Sequence, residues 1–340
     1  MRSSARLLEL RTRHTFTIAR GGSAQWQNVV LELRDGDLCG RGEGAPRSYY
    51  SETPEAALAW LTARGASGSL PAAPQELQRE TGPASARCAL DLALHDLWAQ
   101  RDGVPLHEWL AARYGLRAQA RWPRTSFTIG IDAPEKVREK TLEAASYPIL
   151  KVKLGSSDDL ALLAAIRSVS KAVLRVDANA AWSVEQTLDL SSRLVELGIE
   201  LVEQPLPKQD LAGYRALRGR ISLPIYADES CVGPDDLEQL ADAVDGINIK
   251  LSKCGGLEPA CRMIRRAREL GLHVMVGCFI ESSLGITAAA HLAPFVDVLD
   301  LDGAALLAED PYRGATIPRG EIRLPQAHGI GATPRASAGA

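Results

Sequence analysis

From residue 125 onward, short apolar runs alternate with longer amphipathic stretches. The runs cover residues 126–129, 149–153, 173–177, 200–203, 224–228, 247–250, 273–277 and 296–300. Repeated strand–helix alternation predicts a parallel sheet, because each parallel strand needs a crossover to return the chain. Eight such units in ~180 residues predict a closed (β/α) barrel rather than an open doubly wound sheet. Upstream the pattern differs. Residues 29–34 (Val-Val-Leu-Glu-Leu-Arg) run into Asp35-Gly36-Asp37, which predicts a strand entering a hairpin with its return at 38–41. Residues 54–64 and 84–100 carry helical patterns, the second with Ala89, Leu92, Ala93, Leu97 and Ala99 at near-helical spacing. The predicted organisation is an α+β domain over 1–118, the barrel over 119–312, a C-terminal segment over 313–331 and a flexible tail over 332–340.

Charge then changes the picture. Lys153, Asp177, Glu203, Asp228, Lys250 and Asp300 each close an apolar run. Their spacing, one per unit of about 25 residues or two units for the last, puts all six at the C-terminal face of the barrel, where such folds keep their active sites. Asp177, Glu203 and Asp228 end three consecutive strands, and without a cation they would raise one another's pKa. An oxygen-only set suits a hard divalent cation, Mg²⁺ with Mn²⁺ as an allowed substitute, better than Zn²⁺. Lys153 and Lys250 flank the triad in strand order. Lys151 shares the inward face of Lys153 and is expected to lower its pKa, so that a lysine can act as a base near neutral pH. A base on each side of a metal-bound carboxylate suits removal of an α-proton from one face and its return to the other through an enediolate. Lys253 competes with Lys250 for this role, but falls beyond the strand and reads as a loop or helix-start residue.

Composition excludes several classes. Of 340 residues, 46% are hydrophobic and 24% charged, with a net charge of −3. That argues against intrinsic disorder and against a nucleic-acid binder relying on a basic field. The longest charge-free apolar run, 282–296, is too short for a membrane span and contains His291 and Pro294. No apolar signal region follows Met1, and the six cysteines form no C-x-x-C pair. Free buried thiols and a cytoplasmic location are expected. His95, His107 and His291 fall in helical patterns and read as structural.

Lys151-Val152-Lys153, Asp177-Ala178-Asn179, Val202-Glu203-Gln204-Pro205, Ala227-Asp228-Glu229-Ser230 and Ile249-Lys250-Leu251 together resemble the enolase superfamily, muconate-lactonizing subgroup. The resemblance implies a modified TIM barrel under an α+β capping domain, with the C-terminal segment returning to the cap. It implies Asp177, Glu203 and Asp228 as Mg²⁺ ligands, Lys153 and Lys250 as the acid/base pair, and Asn179 and Glu229 as supports behind them. Asp300-Leu301-Asp302 looks like the D-x-D of dipeptide epimerases, including L-Ala-D/L-Glu epimerase, where the pair holds the substrate's α-ammonium. Two carboxylates at one mouth need a cationic partner.

The expectation is therefore a Mg²⁺-dependent isomerase that inverts the α-carbon of the C-terminal residue of a dipeptide by 1,1-proton transfer. Muconate cycloisomerase, o-succinylbenzoate synthase-like elimination and N-acylamino acid racemisation share the metal and lysines, but their substrates carry no ammonium. A non-catalytic binding module should have lost a ligand or base, and none is missing. Lys151, Arg20 and Glu281 are further candidate substrate contacts: Arg20 for an acidic side chain from the cap loop 18–27, and Glu281 after the seventh strand, with Ser282 or Ser283 as the competing helix caps. Tyr49 and Tyr50, in a second cap loop over 45–53, complete the candidate lid. The substrate is a small molecule, with neither nucleic acid nor membrane as partner; self-association is common in the family.

Overall fold

A computed structural model of the chain describes all residues except 69 and 337–340. An antiparallel sheet of three strands comes first: β1 (Arg2–Ile18), β2 (Gly21–Asp35) and β3 (Leu38–Gly44). The hairpin read at residues 29–41 is thus the second half of a larger sheet. Its first strand went unread because Leu8, Leu10 and Thr12 alternate with polar residues and bury one face only. Residues 18–27, expected as a loop, form the tip and flank of the β1–β2 hairpin, with Arg20 at the turn.

The helix Ala84–Arg101 packs across this sheet, and every side chain from Cys88 to Ala99 is buried. Burial all round follows from its position between the sheet on one side and barrel elements on the other. Close approach to β3 rests on glycine. A Cβ at Gly42 or Gly44 would collide with the carbonyl oxygens of Ala89 or Ser85.

The barrel strands are β4 (Phe127–Ile129), β5 (Ile149–Lys153), β6 (Val173–Asp177), β7 (Ile199–Glu203), β8 (Ile225–Ala227), β9 (Gly246–Lys250), β10 (His273–Gly277) and β11 (Val298–Asp300). Chain neighbours pair in parallel throughout. A parallel bridge between Thr125 and Leu299 brings the two ends of the sheet together. Helices Pro134–Glu143, Asp159–Arg167, Val184–Glu196, Leu211–Leu217, Leu257–Glu269 and Ser283–Ala290 fill most gaps. Between β8 and β9, Gly233-Pro234 leads only into a 3₁₀ turn and the one-turn helix Leu237–Leu240, while after β11 the 3₁₀ turn Gly303–Leu306 stands in place of a full helix.

Register aligns the strand ends. Lys153 pairs with Asp177 and Asp177 with Glu203; across the barrel Lys250 pairs with Gly277 and Gly277 with Asp300. Asp228 lies one residue beyond β8. The sheet domain lies against the barrel, sharing one apolar core with it: Leu8, Leu10, Val30 and Leu92 cluster with Ile249, Leu251 and Leu284. Two carboxylates of the sheet domain also cap barrel helices. Asp91 accepts from Leu257 N (2.6 Å) and Glu258 N (3.1 Å), and Glu43 accepts from Ser282 N (3.0 Å) and Gly285 N (3.0 Å). Each satisfies orphan N–H groups at the positive end of a helix.

The C-terminal segment reaches back to the sheet domain. Leu106 N donates to Gly329 O (2.9 Å), Ile330 N donates to Asp96 (2.7 Å), and His291 Nε2 lies 3.1 Å from Ile330 O. Within the span 332–340, Ala332 is buried and Thr333–Pro334 pairs with Tyr312–Arg313, while 337–340 lie outside the described residues. No described helix is long and apolar enough to cross a membrane.

Candidate active site

The ends of β6 and β7 and the residue after β8 bring Asp177, Glu203 and Asp228 together, all three buried, with one carboxylate oxygen from each lying within 4.8 Å of the others. Four lysines close around them. Lys153 Nζ donates to Asp177 (2.6 Å) and Lys250 Nζ to Asp228 (2.8 Å), one on each flank. Lys151 Nζ lies 2.6 Å from Glu203, 3.2 Å from Asp177 and 2.7 Å from Asp300, tying the triad to β11. Lys253 Nζ donates to Asp228 Oδ1 (2.7 Å), Asp228 O (2.6 Å) and Asn248 O (2.8 Å).

Charge separates the three acids. Burial and the neighbouring Asp177 push Glu203 up to about 7. Burial acts in the same direction on Asp177, but Lys153 and Lys151 outweigh it and hold that carboxyl well below the usual range. Lys250 and Lys253 do the same for Asp228. Burial and repulsion together therefore prevail at only one of the three acids. Lys250 feels both influences. Burial and Lys151 pull that ammonium down, yet the facing Asp228 and the carboxylates behind it leave it above the ordinary lysine range. Lys151 itself is raised, because Asp300, Glu203 and Asp177 outweigh its burial.

The donor set fits a hard divalent cation. Three carboxylates converge with no imidazole or thiol among them, and Glu203 Oε2 lies in buried surroundings without a hydrogen bond of good geometry, although Lys151 is close. Glu203 Oε1 is held by Asn248 Nδ2 (2.8 Å). Backbone strain also collects here. Asn179, Ala180 and Gln204 have φ of 47°, 66° and 39°, left-handed values for residues bearing a Cβ. Asn179 N donates to Asp177 Oδ1 (2.9 Å), while Gln204 Oε1 accepts from Asp228 N (2.9 Å) and Ser230 N (3.1 Å).

A cavity of about 590 Å³ lies between the barrel mouth and the sheet domain. Lys153, Lys250, Asp228, Asn179, Glu229, Asp300 and Asp302 reach it from the barrel; Arg20, Trp26, Arg47, Tyr49 and Tyr50 close it from above. Asp300 accepts from Lys151 (2.7 Å) and Ser126 Oγ (2.7 Å) and is held low, since the lysines outweigh burial. Asp302 accepts from Thr128 N (2.6 Å), and burial together with Asp300 pushes it up to about 7. The two carboxylates of D-x-D thus face one cavity in unlike electrostatic states.

Three candidate contacts sit differently from expectation. Lys151 is 1% exposed and does not line the cavity, so its charge acts inside the wall. Glu281 is also behind the wall, accepting from Ser252 Oγ (2.9 Å), and Ser282 takes the helix-cap role by accepting from Leu284 N. Arg20 reaches the cavity already engaged, donating to Glu229 (2.6 Å) and Asn179 O (2.7 Å) with its guanidinium over Tyr49. Sequence reasoning missed Asn248 and Gln204, and it placed Lys253 at a helix start without finding its contact with Asp228. Alternation from Lys250 pointed to Asn248, which shares its inward face. Lys253 lay outside any strand period, in the helix Leu251–Cys254 that turns it back under Asp228.

The chain belongs to the enolase superfamily: residues 133–338 match the enolase C-terminal domain-like family, and residues 2–111 match the mandelate racemase / muconate lactonizing enzyme N-terminal domain. An L-Ala-D/L-amino acid epimerase from Maribacter sp. is 38% identical, over 98% of this chain and 99% of that protein. Among solved structures, a substrate-liganded L-Ala-D/L-Glu epimerase from Bacillus subtilis superposes with a TM-score of 0.91 at 30% identity, covering 99% of each chain. A dipeptide epimerase from Methylococcus capsulatus, complexed with Mg and L-Arg-D-Lys, gives a TM-score of 0.88 at 35% identity, covering 97% of this chain and 98% of that one.

Proposed function

We propose that this protein is a Mg²⁺-dependent dipeptide epimerase that inverts the α-carbon of the C-terminal residue by 1,1-proton transfer. One observation carries the reading: the cavity lined by Lys153, Lys250 and Asp228, the last a member of a metal-competent acidic triad, is also lined by a separate carboxylate pair, Asp300 and Asp302. A dipeptide has a carboxylate for the first and an ammonium for the second. The names and bound ligands of the relatives support the same reading. Cycloisomerase and N-acylamino acid racemase substrates would bring no ammonium to this pair, of which Asp300 already has Lys151 at 2.7 Å while Asp302, also buried, is held by Thr128 N.

Asp177, Glu203 and Asp228 would hold the cation, which when bound would supply positive charge to stabilise negative charge on the substrate carboxylate. Lys153 and Lys250, reaching the cavity from opposite flanks of the triad, take the α-proton on one face and return one on the other. Asp300 and Asp302 orient the substrate by its ammonium. Lys253, Asn248, Gln204 and Asn179 position the acids from behind, and Glu229 holds Arg20 over the mouth.

The test is proton NMR in D₂O with Mg²⁺ and a set of L,L-dipeptides. Loss of the C-terminal residue's α-proton signal with growth of the L,D diastereomer is expected. Replacing either base, Lys153→Met or Lys250→Met, should slow epimerisation by about 10²–10⁴-fold. Each variant should still exchange the α-proton of one diastereomer, a different one for each. A Mg²⁺-dependent reaction with N-acylamino acids or muconates, and none with dipeptides, would refute the reading.

A further inference from the structure

A second cavity, of about 260 Å³, opens beside the first between the sheet domain and β4. It would hold several waters, each of about 30 Å³. Phe16, Thr128 and Leu306 line both cavities and form the partition between them. The partition lies against Asp302: Thr128 N donates to its carboxylate (2.6 Å), and Leu306 N donates to its backbone carbonyl (3.2 Å). Tyr147, on the far side of the partition, has its phenol raised by burial and by the charge of Asp302. The second cavity therefore begins where the D-x-D pair ends.

An interruption in β1 builds its roof. The β1–β2 ladder is broken between Arg11 and Phe16, and Thr12 instead bridges to Leu307 in the barrel. Residues 12–15 are thereby committed to the barrel side, with Arg13 bonded to Ala305 O and His14 2.9 Å from Glu143. The walls are Phe16, Leu306, Phe127 and Tyr147, the last two rings 4.7 Å apart. The charged groups at the rim are largely paired within the protein, His14 to Glu143 and Lys140 to Asp132. Arg13 donates to Ala305 O and keeps its positive charge at an exposed position. The walls offer aromatic and apolar surface beneath a rim that carries this one cation beside the ion pairs.

We infer that this second cavity is the subsite for the side chain of the substrate's amino-terminal residue, and that it takes an aromatic or long aliphatic group. The inference rests on the proposed function. An ammonium held by Asp300 and Asp302 puts the amino-terminal α-carbon beside Thr128 and Leu306, whose far side is the second cavity. Displacement of Leu306 and Phe16, both only half-buried, joins the two cavities.

The test compares kcat/KM for L-Ala-L-Xaa, L-Leu-L-Xaa and L-Phe-L-Xaa, with Xaa fixed as the residue turned over best after L-Ala. The Leu and Phe substrates should match or exceed the Ala substrate. Filling the roof with Thr15→Trp, an exposed position away from the catalytic groups, should lower kcat/KM for L-Phe-L-Xaa by about tenfold or more and leave L-Ala-L-Xaa unchanged. Widening the partition with Leu306→Ala should favour L-Phe over L-Ala. Loss of activity with increasing amino-terminal size, with both variants affecting all three substrates alike, would overturn the subsite while the epimerase reading stands. No turnover of any dipeptide would overturn both.

Discussion

At the scale of residues, the site is a lattice of opposite charges in which each carboxylate's state is set by burial and neighbouring acids on one side and lysines on the other. Asp228 meets two and stays low, whereas Glu203 meets Lys151 without good hydrogen-bond geometry and rises to about 7. Lys253 is the test of this account. Its three bonds end on Asp228 and Asn248, and it is 3% exposed. Lys253→Met should destabilise the protein by about 1–3 kcal/mol, because two buried carbonyls lose a donor and Asp228 keeps only Lys250. It should also weaken Mg²⁺ binding measured by calorimetry, by freeing the Asp228 carboxylate from its position. Lys253→Arg should fail to restore either property, since a planar guanidinium cannot reproduce three bonds from one point charge. A Met variant with unchanged melting and Mg²⁺ affinity would remove Lys253 from the positioning set.

Among elements, the informative contacts are those by which one domain caps helices of the other. The helix Leu257–Glu269 starts at Gly256, which has no side chain to cap it, and Asp91 does so from the sheet domain. Glu43 does the same for Ser283–Ala290, receiving further bonds from Asn28 and Ser282 Oγ. Burial and then Glu281 push Glu43 up to about 7, from an ordinary 4.5. Between those values the folded protein keeps a proton that the unfolded chain has released, so this group's contribution makes stability fall as pH rises through the window. The amount is of order 3 kcal/mol. Urea midpoints measured across the window should show a downward component that Glu43→Gln reduces. An unchanged pH slope in the variant would show that Glu43 is ionised in the fold throughout.

For the whole molecule, the triad should link metal binding to folding. Its three carboxylates come from β6, β7 and the loop after β8, so they meet only in the closed barrel. Mg²⁺ at a hundred times its Kd should add about 2.7 kcal/mol of stability. That should raise the melting temperature in proportion to the logarithm of concentration, and EDTA should reverse it. A melting temperature independent of Mg²⁺ would mean that the three acids do not hold the ion.

Strand periodicity alone announced the barrel, because buried parallel strands must be apolar along their length and a charge closing each run has to face a common end. The same logic exposes Lys153, Asp177, Glu203, Asp228, Lys250 and Asp300 in the sequence. β1 stayed hidden because burial on one face leaves half of its residues polar. The shortened connection after β8 was hidden too, since one turn of helix has too few residues to show a period.

What only the tertiary structure decided is which side chains turn into the cavity and which turn behind it. Lys151 and Lys153 share a strand face, yet the first is sunk among three carboxylates and the second reaches the open space. Arg20 lies at a hairpin tip far from β6 in sequence, and only the packing of the sheet domain on the barrel brings it to Glu229 and Asn179. The second cavity is likewise invisible in the chain, because it exists only where the interrupted β1 ladder crosses β4. Local pattern determined the elements and the chemistry they carry, since periodicity and residue type act over a few positions. Depth, partner and access were decided by contacts between segments hundreds of residues apart, which no local pattern encodes.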